Sequence, residues 1–295
     1  MQSTILINQH QIPVKNPDKI FWPDEGYTKA DIMKYYASIW PYLAPHLQGR
    51  PVSLVRYPEG INGDFFYQKD VPNPPTWVNT VPIQSEDRII NYVIINNLET
   101  LIWSVNLGCI EIHPWLSTIT NPDFPTYLIF DLDPMEPAVF SDAVKIAQFI
   151  KIILSELKLK AFPKISGATG IHIYLPLVQK YSYKQTSAFV KQIGSIIIES
   201  FPELATNERK VSNRNGKVYI DHLQNLKGKT IASVYSLRPL RGAPVSVPVS
   251  WEELSDVHPG MFNIQTAPVR IKRIGDYFDP LLFLKQELPD SLLID

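Results

Sequence analysis

The sequence predicts a mixed α/β (α+β) fold with antiparallel pairing, and three features point to it. Strand-like and helix-like segments follow one another in no regular βαβ order. The helical segments carry apolar stripes at three- and four-residue spacing. Scattered prolines, 26 in 295 residues, and the turn dipeptide Asn215-Gly216 punctuate short strands.

Taken in order, a strand is expected near residues 4–7 and a turn at Asn16–Asp18. A helix follows over about 28–47, with Thr28 as its N-cap. GRPVSLVRYP alternates as a strand, with Val52, Leu54 and Arg56 against Ser53 and Val55. Strands at 89–95 and 109–113 flank a helical NLETLIWSVNLG that stops at Gly108. YLIFDLDP (127–134) is a further strand. Helices over about 141–159 and 184–200 bracket the turn-and-strand unit KISGATGIHIYLP. Asn215-Gly216 signals a hairpin into KVYID. With no repeat, low-complexity tract or Gly/Ser linker, residues 1–295 read as one integrated catalytic domain.

Composition narrows the function. A single cysteine, Cys109, excludes an internal disulfide framework, and no Cys/His cluster has zinc spacing, so any metal must be held by oxygens. No apolar run reaches membrane length and MQSTILINQH lacks the order of a secretory signal, so no membrane partner and a cytoplasmic, nucleoid-associated location are expected. The net charge of −1 leaves nucleic-acid binding to a local patch. Residues 209–241 supply one, with eight basic side chains against one acid, Asp221.

In an extended YLIFDLDP, Asp131 and Asp133 share a face with Cα atoms about 6.5 Å apart, a spacing that lets both reach one or two cations. An isolated DxD is as readily a solvated strand end. Asp221 in VYIDH lies on the same face as Lys217 and Tyr219, and His113 in CIEIHPW shares its face with Glu111. The turn Ser166–Gly170 offers two hydroxyls and backbone N–H groups to phosphate oxygens and leads into His172. Carboxylates for cations, a glycine turn for a phosphate tail and a basic segment for a polyanion together suit phosphoryl transfer.

GCIEIHPW, LIFDLDP, SGATGIHIYLPL and VYIDHLQNLKGKTIASVYSLRPLRGAPVSVPVSWEEL, in that order, resemble the polymerase domain of bacterial ligase D, in the archaeo-eukaryotic primase superfamily. The opening NPDKIFWPDEGYTKADIMKYYASIWPYLAPHLQGRPVSLVRYPEG fits too, so the resemblance runs from about residue 10 to the C-terminus. It implies a primase-type core of mixed and antiparallel sheets flanked by helices. It implies template-directed primer extension and gap filling in non-homologous end joining, with ribonucleotides preferred. No ligase or nuclease portion accompanies the segment, which is expected of a free-standing or excised polymerase domain.

Residue by residue, the resemblance makes Asp131, Asp133 and Asp221 the catalytic ligands of two divalent cations, Mn²⁺ or Mg²⁺, with Asp221 also helping to deprotonate the primer hydroxyl. His113, Ser166, Thr169, His172 and Arg238 fall at the incoming NTP or dNTP; many relatives have lysine where Thr169 stands. Phe66 and Tyr67 match an aromatic pair near the template base, with Arg56 and Lys69 beside them on DNA. Asn16, Lys19 and Lys29 match a pocket for the 5′-phosphate of a gap or break, and a helix starting at Thr28–Lys29 is expected to offer free N–H groups there. DNA ends, Ku and an ATP-dependent DNA ligase are the implied partners.

Three other readings compete. A haloacid-dehalogenase-type phosphatase wants threonine or valine where Met135 stands, and a DxD glycosyltransferase leaves the SGATGIH turn unexplained. A non-catalytic DNA-end-binding module gives no reason for three intact aspartates.

Overall fold

The computed structural model describes residues 2–293. The chain forms two compact units, each assembled from three segments: Met1–Thr120, Thr230–Ser246 and Phe262–Gly275 in the first, and Asn121–Lys229, Val247–Met261 and Asp276–Asp295 in the second. This interleaving explains why no linker marks a boundary in the sequence.

The first unit is built around the strand Pro51–Arg56. Cys109–Pro114 lies antiparallel along one edge, while Ile89–Ile94 and Phe66–Gln68 share the other, and Thr80–Gln84 extends the sheet beyond Ile89–Ile94. Pro51 to Val55 are all buried. The expected in–out alternation is therefore absent, as befits a central strand covered on both faces.

The helix Lys29–Leu47 begins as its sequence dictates: Thr28 and Asp31 form a reciprocal capping box, and Ile32, Tyr36, Ile39, Leu43 and Leu47 make a fully buried stripe. Its tyrosines recruit the distant 230–246 segment. Tyr35 donates to the carbonyl of Tyr235 at 2.8 Å, and Tyr36 accepts from the amide of Leu237 at 3.1 Å.

The second unit carries a six-stranded sheet in the order Ala205–Thr206, Val218–Ile220, Tyr127–Pro134, Ile171–Pro176, Phe162–Ile165, Val247–Pro248. Every pairing is antiparallel except the first. Leu128, Phe130 and Leu132 are fully buried, and the helices Phe140–Glu156 and Tyr183–Ser200 pack against their strand.

The expected hairpin at Asn215-Gly216 does not form. Both residues adopt positive φ, 52° and 66°, as a tight turn requires, but the chain before them is a single 3₁₀ turn, Val211–Asn213. Val218–Ile220 already has both edges occupied, by Ala205–Thr206 and Tyr127–Pro134, so no edge remains for a hairpin partner. The helix expected over 141–159 ends at Glu156, because Lys158 turns to φ +58°.

Candidate active-site residues in the two units

In the second unit, register brings the acidic motifs together. Asp131 pairs with His172, and His172 pairs with Lys164 on the next strand. On the other side Asp133 pairs with Tyr219, and the amide of Asp221 donates to the carbonyl of Asp131 at 2.9 Å. Directly opposed residues project to the same face. Asp221, Asp131, His172 and Lys164 therefore form one row across four strands, with Asp133 and Tyr219 beside it. His172 Nε2 lies 3.3 Å from Asp131 Oδ1, and both residues are buried.

Asp221 is held from behind. It caps the 3₁₀ turn His222–Asn225, its Oδ1 accepting the amide of Leu223 at 2.9 Å and the hydroxyl of Tyr219 at 3.1 Å. The fully buried Asn225 then accepts from the amide of Ile129 at 2.8 Å and donates to the carbonyl of the same residue at 2.7 Å. Burial and the Asp221 charge both push the Tyr219 hydroxyl pKa up, so Tyr219 donates to the carboxylate rather than competing with it.

Carboxylates brought to one face by strand register suit a hard divalent cation. Among the described residues no group of three or more His, Cys, Asp or Glu side chains is drawn together at ligand spacing. Asp221 Oδ1 is committed to Leu223 and Tyr219, so a cation here would take its second oxygen or displace those bonds. The oxygen donors and shared face of the three acids suit such an ion, which would have to draw their side chains together.

The turn Ser166–Gly170 lies against the same strand. A Cβ on Gly170 would fall 2.1 Å from the carbonyl oxygen of Leu132 and 3.1 Å from Asp133 Oδ1, so only glycine lets the turn approach so closely. The expected open nest is partly closed, because Ser166 Oγ itself accepts the amides of Ala168 and Gly170 at 3.1 and 3.0 Å. Thr169 is exposed at the tip.

The first unit gathers the remaining candidates into two groups. In one, Glu111 accepts from Arg238 Nε at 2.6 Å and its other oxygen lies 3.3 Å from His113 Nε2; Tyr67 meets His113 edge-on at 5.7 Å. Burial alone would raise the Glu111 carboxyl, but His113 and Arg238 outweigh it and hold the group below the usual carboxylate range. Phe65, Phe66 and Tyr67 are exposed, with Phe65 stacked on Tyr57 at 5.1 Å. Arg56 sits over the Phe66 ring at 5.1 Å and donates to the carbonyl of Leu107 and to Gln68, so it braces the aromatic strand from within the unit. Lys69 is exposed beyond it.

In the other group, the amide of Lys19 donates to the carbonyl of Asn16 and the amide of Lys29 to that of Lys19, which draws all three residues together. Lys19 Nζ pairs with Glu59 at 2.6 Å, and the buried Lys29 Nζ donates to the carbonyls of Lys15 and Asn106. The expected free N–H groups at the helix start are absent. Thr28 donates to Asp31, Lys29 to Lys19, Ala30 to Pro17 and Asp31 to Thr28. Capping has spent them, so an anion here is left to the lysines.

The sequence places Glu111 and Tyr219 beside His113 and Asp221 on one face but gives them no role, and nothing local marks Asn225 or the fully buried Lys164 as part of the site.

A sheet that presents aspartates in one row, closed on by a glycine turn and a histidine, defines a primase-type nucleotidyltransferase. The profile of the LigD primase-polymerase domain matches residues 28–278, and the chain belongs to that family. It is 35% identical over 280 residues to the bifunctional non-homologous end joining protein LigD of Bacillus subtilis, covering 94% of this chain and 45% of that protein. It is 31% identical over 274 residues to the multifunctional LigD of Mycolicibacterium smegmatis, covering 92% and 36%. The chain thus spans less than half the length of these relatives. The polymerase domain of Mycobacterium tuberculosis ligase D, solved in complex with DNA, superposes with a TM-score of 0.86 at 30% identity, over 93% of this chain and 99% of that one. Among the described residues no helix is long and apolar enough to cross a membrane.

Proposed function

We propose that the chain extends primers on a DNA template, filling gaps and processed ends during non-homologous end joining. The observation that carries this reading is the row Asp221–Asp131–His172, tied by the backbone bond between the two aspartates, in a chain of the primase-polymerase family.

Asp131, Asp133 and Asp221 would hold Mn²⁺ or Mg²⁺, which when bound would neutralise triphosphate charge and favour ionisation of the primer 3′-hydroxyl. His172 and Ser166 orient the phosphates, His113 and Arg238 are nucleotide-binding residues, Phe66 and Tyr67 stack near the template base, and Arg56 and Lys69 support the DNA strand. Lys19, Lys29 and Asn16 take the downstream 5′-phosphate. Polar groups about the sugar reward a 2′-hydroxyl, so ribonucleotides are preferred. Ku and an ATP-dependent ligase act in the same cytoplasmic, nucleoid-associated pathway.

The test is extension on a gapped duplex with each of the eight nucleotides supplied singly. Template-matched addition with ribonucleotides favoured is expected. Untemplated addition, or equal use of matched ribo- and deoxyribonucleotides, contradicts the corresponding part of the reading.

A further inference from the structure

Glu111 stands in the strand Cys109–Pro114, two residues before His113 and on the same face. It is 4% exposed, and a carboxylate is costly to bury unless it is paired. Its two oxygens are divided between the Arg238 guanidinium and the His113 imidazole. Oε1 accepts from Arg238 Nε at 2.6 Å, and Oε2 lies 3.3 Å from His113 Nε2. Tyr57, Tyr67, Tyr36 and Cys109 face the same carboxylate. Burial is the main cause that pushes each of their pKa values up; the Glu111 charge comes second for Tyr57 and Tyr67, and it adds a smaller push for Cys109, after the lowering effect of Arg56, and for Tyr36, after the Cys109 charge. Glu111 is thus the one acid of this group that is ionised near neutrality.

We propose that Glu111 is a positioning residue for nucleotide addition: it locks His113 and Arg238 into a single charged unit with fixed orientation. The proposal rests on the nucleotide-binding role given to those two residues above. The contact engages Arg238 by its inner nitrogen, Nε, at 2.6 Å. A carboxylate oxygen 3.3 Å from His113 Nε2 favours a proton on that nitrogen.

The experiment compares native protein, Glu111→Gln and Glu111→Asp in single-nucleotide addition to a gapped duplex, measuring kcat, the nucleotide KM, DNA affinity and the pH profile. Glu111→Gln keeps the shape and one acceptor but removes the charge. It is expected to raise the nucleotide KM about tenfold with DNA affinity unchanged, and to move the pH at which His113 loses its proton downward. A purely structural role would leave that pH profile in place. Native KM and pH profile in a folded Glu111→Gln, or a loss of DNA affinity in place of the KM effect, overturns the proposal. Should Glu111→Gln fail to fold, Glu111→Asp decides in the same way, a raised KM supporting the proposal and a native KM overturning it. Absence of templated addition by the native protein would instead overturn the polymerase reading, and the proposal with it.

Discussion

The amide of Asp221 donates to the carbonyl of Asp131 at 2.9 Å, so two carboxylates far apart in the sequence are set side by side by a backbone bond rather than by their own side chains. The fully buried Asn225 reinforces it by bonding both backbone groups of Ile129. Asn225→Ala should therefore lower stability by roughly 2–3 kcal/mol, from two lost bonds and the unsatisfied groups left behind. It should also reduce nucleotide addition in the fraction that remains folded. Denaturant unfolding and single-turnover kinetics check both, and a variant with native stability would show that Asn225 does not hold this junction.

Gly170 should tolerate no side chain. With a Cβ 2.1 Å from the Leu132 carbonyl, Gly170→Ala must shift the turn or the acidic strand, at about 3 kcal/mol. Gly228 is the control: it has φ +80° with nothing near its would-be Cβ, so Gly228→Ala should cost only about 1 kcal/mol. Equal melting temperatures for the two variants would refute the steric account.

Lys19 and Lys29 should differ in what they lose. Lys29 is buried on two carbonyls, so Lys29→Ala should reduce stability as well as 5′-phosphate preference. Lys19 is partly exposed and paired with Glu59, so Lys19→Ala should weaken phosphate preference alone. Glu59→Gln should then strengthen binding to a 5′-phosphorylated gap, by about two- to fivefold, as an exposed pair is released. Binding is compared on gaps with and without the phosphate at several salt concentrations. No preference in the native protein would remove the site from this group.

Acid should reveal the Glu111 pairing. Because the folded carboxyl is held below its unfolded value of about 4.3, its contribution to stability is complete above that pH and is lost as pH falls through the folded value. The stability gap between native protein and Glu111→Gln should narrow as the pH drops below about 4. Urea unfolding at a series of pH values measures it, and a gap independent of pH would mean the carboxylate is not preferentially stabilised in the fold.

Much of this architecture is legible in the chain. Thr28 and Asp31 announce a helix start, the apolar periods of 140–156 and 183–200 announce helices, and the alternation in YLIFDLDP puts Asp131 and Asp133 on one face. What local pattern could not yield was pairing. Asn215-Gly216 has hairpin chemistry, yet the edges of Val218–Ile220 are taken by strands from elsewhere in the chain. Likewise the helix N-terminus near Lys29 looks open in sequence and is closed by carbonyls of Pro17 and Lys19 that only the folded loop delivers. Glu111 and Arg238 meet across a separation that no periodicity spans.

If the carboxylates in the row on the second unit's sheet drive templated nucleotide addition, removing one of them should abolish it. The rate of single-nucleotide addition to a gapped duplex, with Mn²⁺ or Mg²⁺ supplied, is compared for native protein and for Asp131→Ala, whose fold is verified by circular dichroism. Templated addition by the native protein and a loss of about a thousandfold or more in the variant are expected. Comparable rates in a folded Asp131→Ala would contradict this role of the carboxylates.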